Sequence, residues 1–198
     1  MYSFLVKRHR SEGNELMHKS FEISSKIGWN EDILEYLWSV MDAKWLAFYF
    51  TDSTISGYTK FLQLYLTTEC LEDFPLQSNS ITENIRAILY TICDTYLSLG
   101  EKRLPILNYA TRIENKITTT ATCYSQADII WRKVRDTSSD INFYTKRLIL
   151  SAILYTLLSS LSKETANQEE CYQQIDRGLS KARTFGQYKS KIKTAFHI

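Results

Sequence analysis

Apolar residues recur at three- and four-residue intervals along almost the whole chain, the spacing that lines one face of an α-helix. Leu16, Ser20, Ile23 and Ile27 form a first stripe that stops at Gly28. Asn30, with Glu31 and Asp32 behind it, supplies an N-cap and an acidic first turn for a short second helix. A third apolar stretch covers Val40–Phe50, and a fourth helix is predicted from about Ser53 to Glu69. Leu71–Asn79, carrying Pro75, reads as a loop. Ser80-Ile81-Thr82-Glu83 has the capping-box pattern, and the face of Ile85, Ile88, Leu89, Ile92 and Tyr96 behind it runs to Gly100, a C-terminal stop. Pro105 suits the first turn of a following helix. Two more are expected, one through Asp128–Arg135 and one from Ser139 to about Ser162. Leu148–Ser162 carries no charge, yet it falls short of the ~18–20 apolar residues of a bilayer span, so a buried or subunit-contact helix is expected there.

Composition sharpens this to an all-α bundle. Six Gly and two Pro in 198 residues are too few to turn a β-sandwich or barrel. A formal net charge of +2 gives no general affinity for nucleic acid. Cys70, Cys93, Cys123 and Cys171 lie far apart with no CxxC pair, the pattern of buried thiols in a reducing compartment. Met1–Arg10 is basic but short for a signal peptide, and is compatible with a remnant of a mitochondrial presequence.

Catalytic signatures do not emerge. The chain has no glycine-rich phosphate loop, no HExxH and no GxSxG, and its single Glu-x-x-His pair, Glu15 with His18, is one where a bundle di-iron site needs two, so neither a cofactor nor a metal is expected. Glu31-Asp32, Glu72-Asp73 and Glu169-Glu170 are adjacent pairs, which diverge by about 100° on a helix and so read as solvated caps and faces.

The segment Ser125–Arg147 is the most informative. It combines Asp128 and Trp131 on one helix, a small-polar linker Asp136–Ser139, and then Asp140, Asn142, Phe143, Tyr144, Thr145, Lys146 and Arg147. This succession resembles the COQ-nine family of ubiquinone biosynthesis lipid-binding proteins. Gly28-Trp29 with its acidic sequel, and Cys171–Lys189, are similar to the family's N-terminal region and ninth helix. Tyr172 departs from it, standing where the family usually has tryptophan. The resemblance implies a fold like that of TetR-type regulators, with a three-helix head over residues 11–52 and a larger helical body over 53–198. It further implies a homodimer through the last body helices. The implied function is that of a non-catalytic accessory protein. It would bind an isoprenoid quinone intermediate or phospholipid and assist the di-iron demethoxyubiquinone hydroxylase. The corresponding location is peripheral to the inner membrane, on the cytoplasmic side in a bacterium or the matrix side in a mitochondrion.

A ligand-sensing transcriptional regulator of TetR type is the alternative. From Glu31 to Tyr58, however, Lys44 is the only basic residue, against Glu31, Asp32, Glu35, Asp42 and Asp52, a balance that a duplex would repel. Nucleic acid is therefore not expected as a partner.

Three sets of residues carry the functional expectation, each beside a plainer one. Asp140, Phe143 and Tyr144 share a face near a helix start and, with Ile130, match the family's hydroxylase-binding patch; a dipole-complementing acid and two core plugs are the plain reading. Lys146 and Arg147 read as solvated charges, and Trp131 as a core anchor. Leu89, Ile92, Cys93 and Tyr96, with Ile149 and Ile153, are candidates to line a lipid cavity, or else to pack a solid core. After Asp176 no acid appears, and Phe185, Tyr188, Ile192 and Phe196 fall on one face flanked by Lys189 and Lys193. That stripe suits an anionic membrane interface, or a continuation of the last body helix.

Overall fold

The computed structural model describes the backbone of residues 2–40, 54–76 and 78–195, and the side chains of 10–40, 54–76, 78–139 and 141–184. Within these residues the chain forms eight α-helices and no strand. They are α1 (Tyr2–Ile27), α2 (Asp32–Val40), α3 (Ile55–Glu72), α4 (Ile81–Ser98), α5 (Leu104–Thr111), α6 (Lys116–Lys133), α7 (Asp140–Leu161) and α8 (Gln168–Ala195). Short 3-10 turns, Gly100–Arg103 and Ile113–Asn115, bracket α5. The third apolar stretch, beyond Val40, lies outside the described residues.

Local chemistry sets most boundaries. Gly28 adopts φ +82° and ends α1. The Asn30 carboxamide accepts the Asp32 N–H at 3.0 Å, the expected cap of α2. Thr54 caps α3 by accepting the Gly57 N–H at 3.2 Å, and Gly100 takes φ +57° after α4. The capping box at Ser80 is only half made. Ser80 Oγ accepts the Glu83 N–H at 3.4 Å, but the Glu83 carboxylate turns to Arg86 and Ser78 Oγ takes the Ser80 N–H instead.

The first stripe is rotated from its expected position. Leu16, Met17, Ser20 and Phe21 are buried and Ile23 packs half-buried against the core, while Ile27 is exposed, so Phe21 and Met17 carry the load assigned to Ile27. Helix α3 is buried nearly all round and forms the axis of the bundle. Its Tyr58, Phe61 and Tyr65 stack in series, with ring centroids 6.1 and 6.0 Å apart. Trp29 stacks on Tyr58 at 5.9 Å and donates to Thr59 at 2.8 Å, tying the α1–α2 corner to this axis. One core runs without a break from Leu16 and Ile33 through α3 to Leu179 on α8.

The charge-free run of α7 is buried along Leu150, Leu154, Leu157, Leu158 and Leu161, and exposed at Leu148 and Ala152. Its C-terminus rests on Arg103. That guanidinium is buried and donates to Leu161 O and Lys163 O, each at 3.0 Å, placing a cation where the helix dipole favours one. No helix among the described residues is long and apolar enough to cross a membrane. Cys93, Cys123 and Cys171 are buried free thiols and Cys70 is half-buried.

Candidate functional site

The segment singled out in the sequence forms the hinge between α6 and α7. Helix α6 ends in a Schellman turn, in which the Asp136 N–H reaches Trp131 O at 3.0 Å and the Arg135 N–H reaches Arg132 O at 3.1 Å. The left-handed position falls on Arg135, φ 58°, and not on a glycine. The chain then reverses into α7, opened by Asp140, whose side chain lies outside the described residues.

A charge network braces this reversal. Arg147, itself buried, donates from Nε to Asp128 at 2.7 Å and from Nη1 to Phe143 O at 3.2 Å, and approaches Asp136 at 3.5 Å. Arg132 holds the other Asp128 oxygen at 2.7 Å, and Lys146 holds Asp136 at 2.8 Å. Burial pushes the Asp128 carboxyl up, but hydrogen bonds from Arg147 and Arg132 outweigh it and keep it below the usual range. Asp136 is held down in the same sense, against its burial, by Lys146 and Ser138. Arg147 is therefore no solvated charge: it is an internal brace. Trp131 packs at the edge of the core, as expected, with Lys146 5.1 Å over its ring.

The brace fixes two aromatic rings. The Arg147 guanidinium lies 3.4 Å over Phe143, which meets Tyr144 edge-on at 5.2 Å. Phe143 is half-buried, but Tyr144 is 65 % exposed. Ile141, 73 % exposed, and Leu148, 61 % exposed, extend Tyr144 into an apolar strip along the outer side of α7. Ile130 does not join them. It faces inward from α6 and is closed off from solvent, which removes it from any surface open to a partner. Ile141 and Leu148 were missed from sequence because apolar residues surround α7, leaving no periodicity to tell its outer side from its inner one.

The lipid-lining candidates come together. Leu89, Ile92, Cys93 and Tyr96 on α4 and Ile153 on α7 are buried in the common core, with Ile149 half-buried against it. Burial raises the Cys93 thiol, which also contacts the Cys171 thiol on α8. Burial pushes the Tyr96 phenol up, and its buried hydroxyl has no hydrogen-bond partner.

Helix α8 is clasped to α4 by paired tyrosines. Tyr90 and Tyr172 stack with centroids 3.7 Å apart; Tyr90 donates to Asp176 at 2.9 Å and Tyr172 to Asp94 at 2.6 Å. Burial first and then the Asp94 carboxylate push the Tyr172 phenol up to about 12. The phenol hydroxyl gives the position a stack and a carboxylate contact at once. Beyond the clasp the backbone of α8 stays helical through Gly186 to Ala195. The membrane-contact candidates Phe185, Tyr188, Lys189, Ile192 and Lys193 have side chains outside the described residues, and Phe196 lies outside them entirely.

No curated protein matches the chain. Residues 117–186 match the COQ9 family model, from the first turn of α6 through the braced hinge and α7 into α8. The segment 117–186 thus carries a COQ9 domain, which implies a role in ubiquinone biosynthesis.

Proposed function

We propose that this protein is a non-catalytic lipid-binding accessory of ubiquinone biosynthesis, presenting a quinone intermediate to the di-iron demethoxyubiquinone hydroxylase. The family match over 117–186 carries the reading. A polyprenyl tail is prohibitive to expose to water at ~0.8 kcal/mol per methylene, so a helical body that takes up the tail makes the head group available outside the bilayer. The exposed strip of Ile141, Tyr144 and Leu148 supplies a docking face on a braced support, the arrangement that gives an interface hot spot. Farther along α7, Ala152 and Thr156 are also exposed and offer a face for a homodimer. The body works from a position peripheral to the inner membrane, gripping it through the basic end of α8.

The test is co-purification from the native source, read for bound isoprenoid and bound hydroxylase. Tyr144→Ala combined with Ile141→Ser is expected to abolish hydroxylase capture at an unchanged melting temperature. Wild-type protein that carries neither lipid nor hydroxylase overturns the proposal.

A further inference from the structure

The N-terminal half of α6 is built inside out. It turns Thr119 and Thr122 into the core, where they donate to Ala110 O at 2.6 Å and Thr118 O at 2.9 Å. Ile117, 85 % exposed, and Ile113, 87 % exposed, stand in solvent instead. Burying isoleucine gains more than burying threonine, so packing does not account for this choice, and such a breach of local pattern marks a place kept for another purpose.

The surroundings have a definite chemistry. Arg112 and Lys116, both exposed, flank the two isoleucines. Tyr109 stands half-buried behind them with the Arg112 guanidinium 5.8 Å over its ring. Exposed Lys60 shares a polar recess with Tyr109 and Asn115. Glu114 is the acid within this turn, and Glu31, near Tyr109, is engaged by the Ile55 N–H at 3.1 Å.

We infer that this corner docks on the surface of an anionic lipid bilayer, with Ile113 and Ile117 entering the acyl boundary and Arg112, Lys116 and Lys60 meeting lipid phosphates. Cations ringing a pair of apolar side chains, with a tyrosine at head-group depth, are what an interfacial contact requires. Two isoleucines supply only a fraction of the roughly 800 Å² that a stable protein interface buries on each partner, whereas interfacial binding adds shallow apolar insertion to attraction for anionic lipid and to any other membrane contact of the chain. The surface lies apart from every residue of the lipid-presentation reading and stands without it.

Flotation of the full-length protein with phosphatidylcholine vesicles, with and without phosphatidylglycerol, tests the assignment. Contributions to partitioning add as free energies, so the corner appears as a ratio even where the end of α8 binds too. Ile113→Ser with Ile117→Ser is expected to lower the partition coefficient about ten-fold on phosphatidylglycerol vesicles. Arg112→Gln with Lys116→Gln should lower it about ten-fold on those vesicles and leave phosphatidylcholine alone unaffected. Both variants should keep the wild-type melting temperature and the wild-type content of co-purified lipid. An isoleucine variant that floats like wild type overturns the inference, as does a wild type that fails to float. A loss accompanied by a fall in solution mass also overturns it, and reassigns the corner to a second copy of the chain.

Discussion

Arg147 reaches three parts of the hinge at once: Asp128 on α6, Asp136 in the connection and the ring of Phe143 one turn before it. Its burial was not legible in the sequence, where a Lys-Arg pair beside an apolar helix looks solvated; the partners that change this come from another helix and from the connection. The two aspartates give the hinge a pH dependence. Both carboxyls are held below their unfolded value by the cations around them, despite burial. Their contribution is therefore complete above the unfolded pKa of about 4 and is lost as pH falls through the lower folded value. The melting temperature should drop below about pH 4, and Asp128→Asn should start lower at neutral pH and fall less steeply. An identical acid limb in wild type and variant would deny Asp128 this part.

At the scale of elements, two helical glycines make a comparison. A Cβ on Gly13 of α1 would fall against the Tyr65 ring, with Cε2 at 2.6 Å. Tyr65 cannot retreat, because it is wholly buried and its hydroxyl donates to Arg10 O and Asn14, each at 3.2 Å. A Cβ on Gly178 of α8 would meet Ile153 Cγ1 at 2.9 Å, with Cδ1 at 3.3 Å and Cγ2 at 3.4 Å, an overlap of a few tenths of an ångström that a small shift of one side chain relieves. Alanine also gains ~1 kcal/mol of helix propensity at either site. Gly13→Ala is expected to cost about 2–3 kcal/mol net and Gly178→Ala less than about 1 kcal/mol, as read by urea unfolding. Equal costs would mean that Tyr65 gives way. Most helix ends were legible because Asn30, Ser80, Gly28 and Gly100 act locally. The start of α6 was not. Its buried face there is Thr119, Thr122 and Cys123 while Ile117 faces outward, so hydrophobic periodicity shows a helix only from Asp128 onward, twelve residues after Lys116.

Across the whole molecule the family was legible from Ser125–Arg147, and the match over 117–186 covers that stretch. Whether the body takes a guest is a question of tertiary packing that no periodicity answers, and Tyr96 is where it can be put. This tyrosine brings a hydroxyl into the centre of an otherwise apolar wall and leaves it without a partner. An unsatisfied buried hydroxyl costs about 1–3 kcal/mol, so a solid core would be better served by phenylalanine. A quinone or ester oxygen accepting from that hydroxyl would remove the cost in the loaded protein. Tyr96→Phe is therefore expected to raise the stability of lipid-stripped protein by about 1 kcal/mol, while lowering the quinone retained by protein purified from its native source. Denaturant midpoints and mass spectrometry of the extract measure the two effects separately. A stability gain with unchanged lipid content would leave the hydroxyl outside the guest's path, and a stability loss would show that it finds a partner within the protein itself.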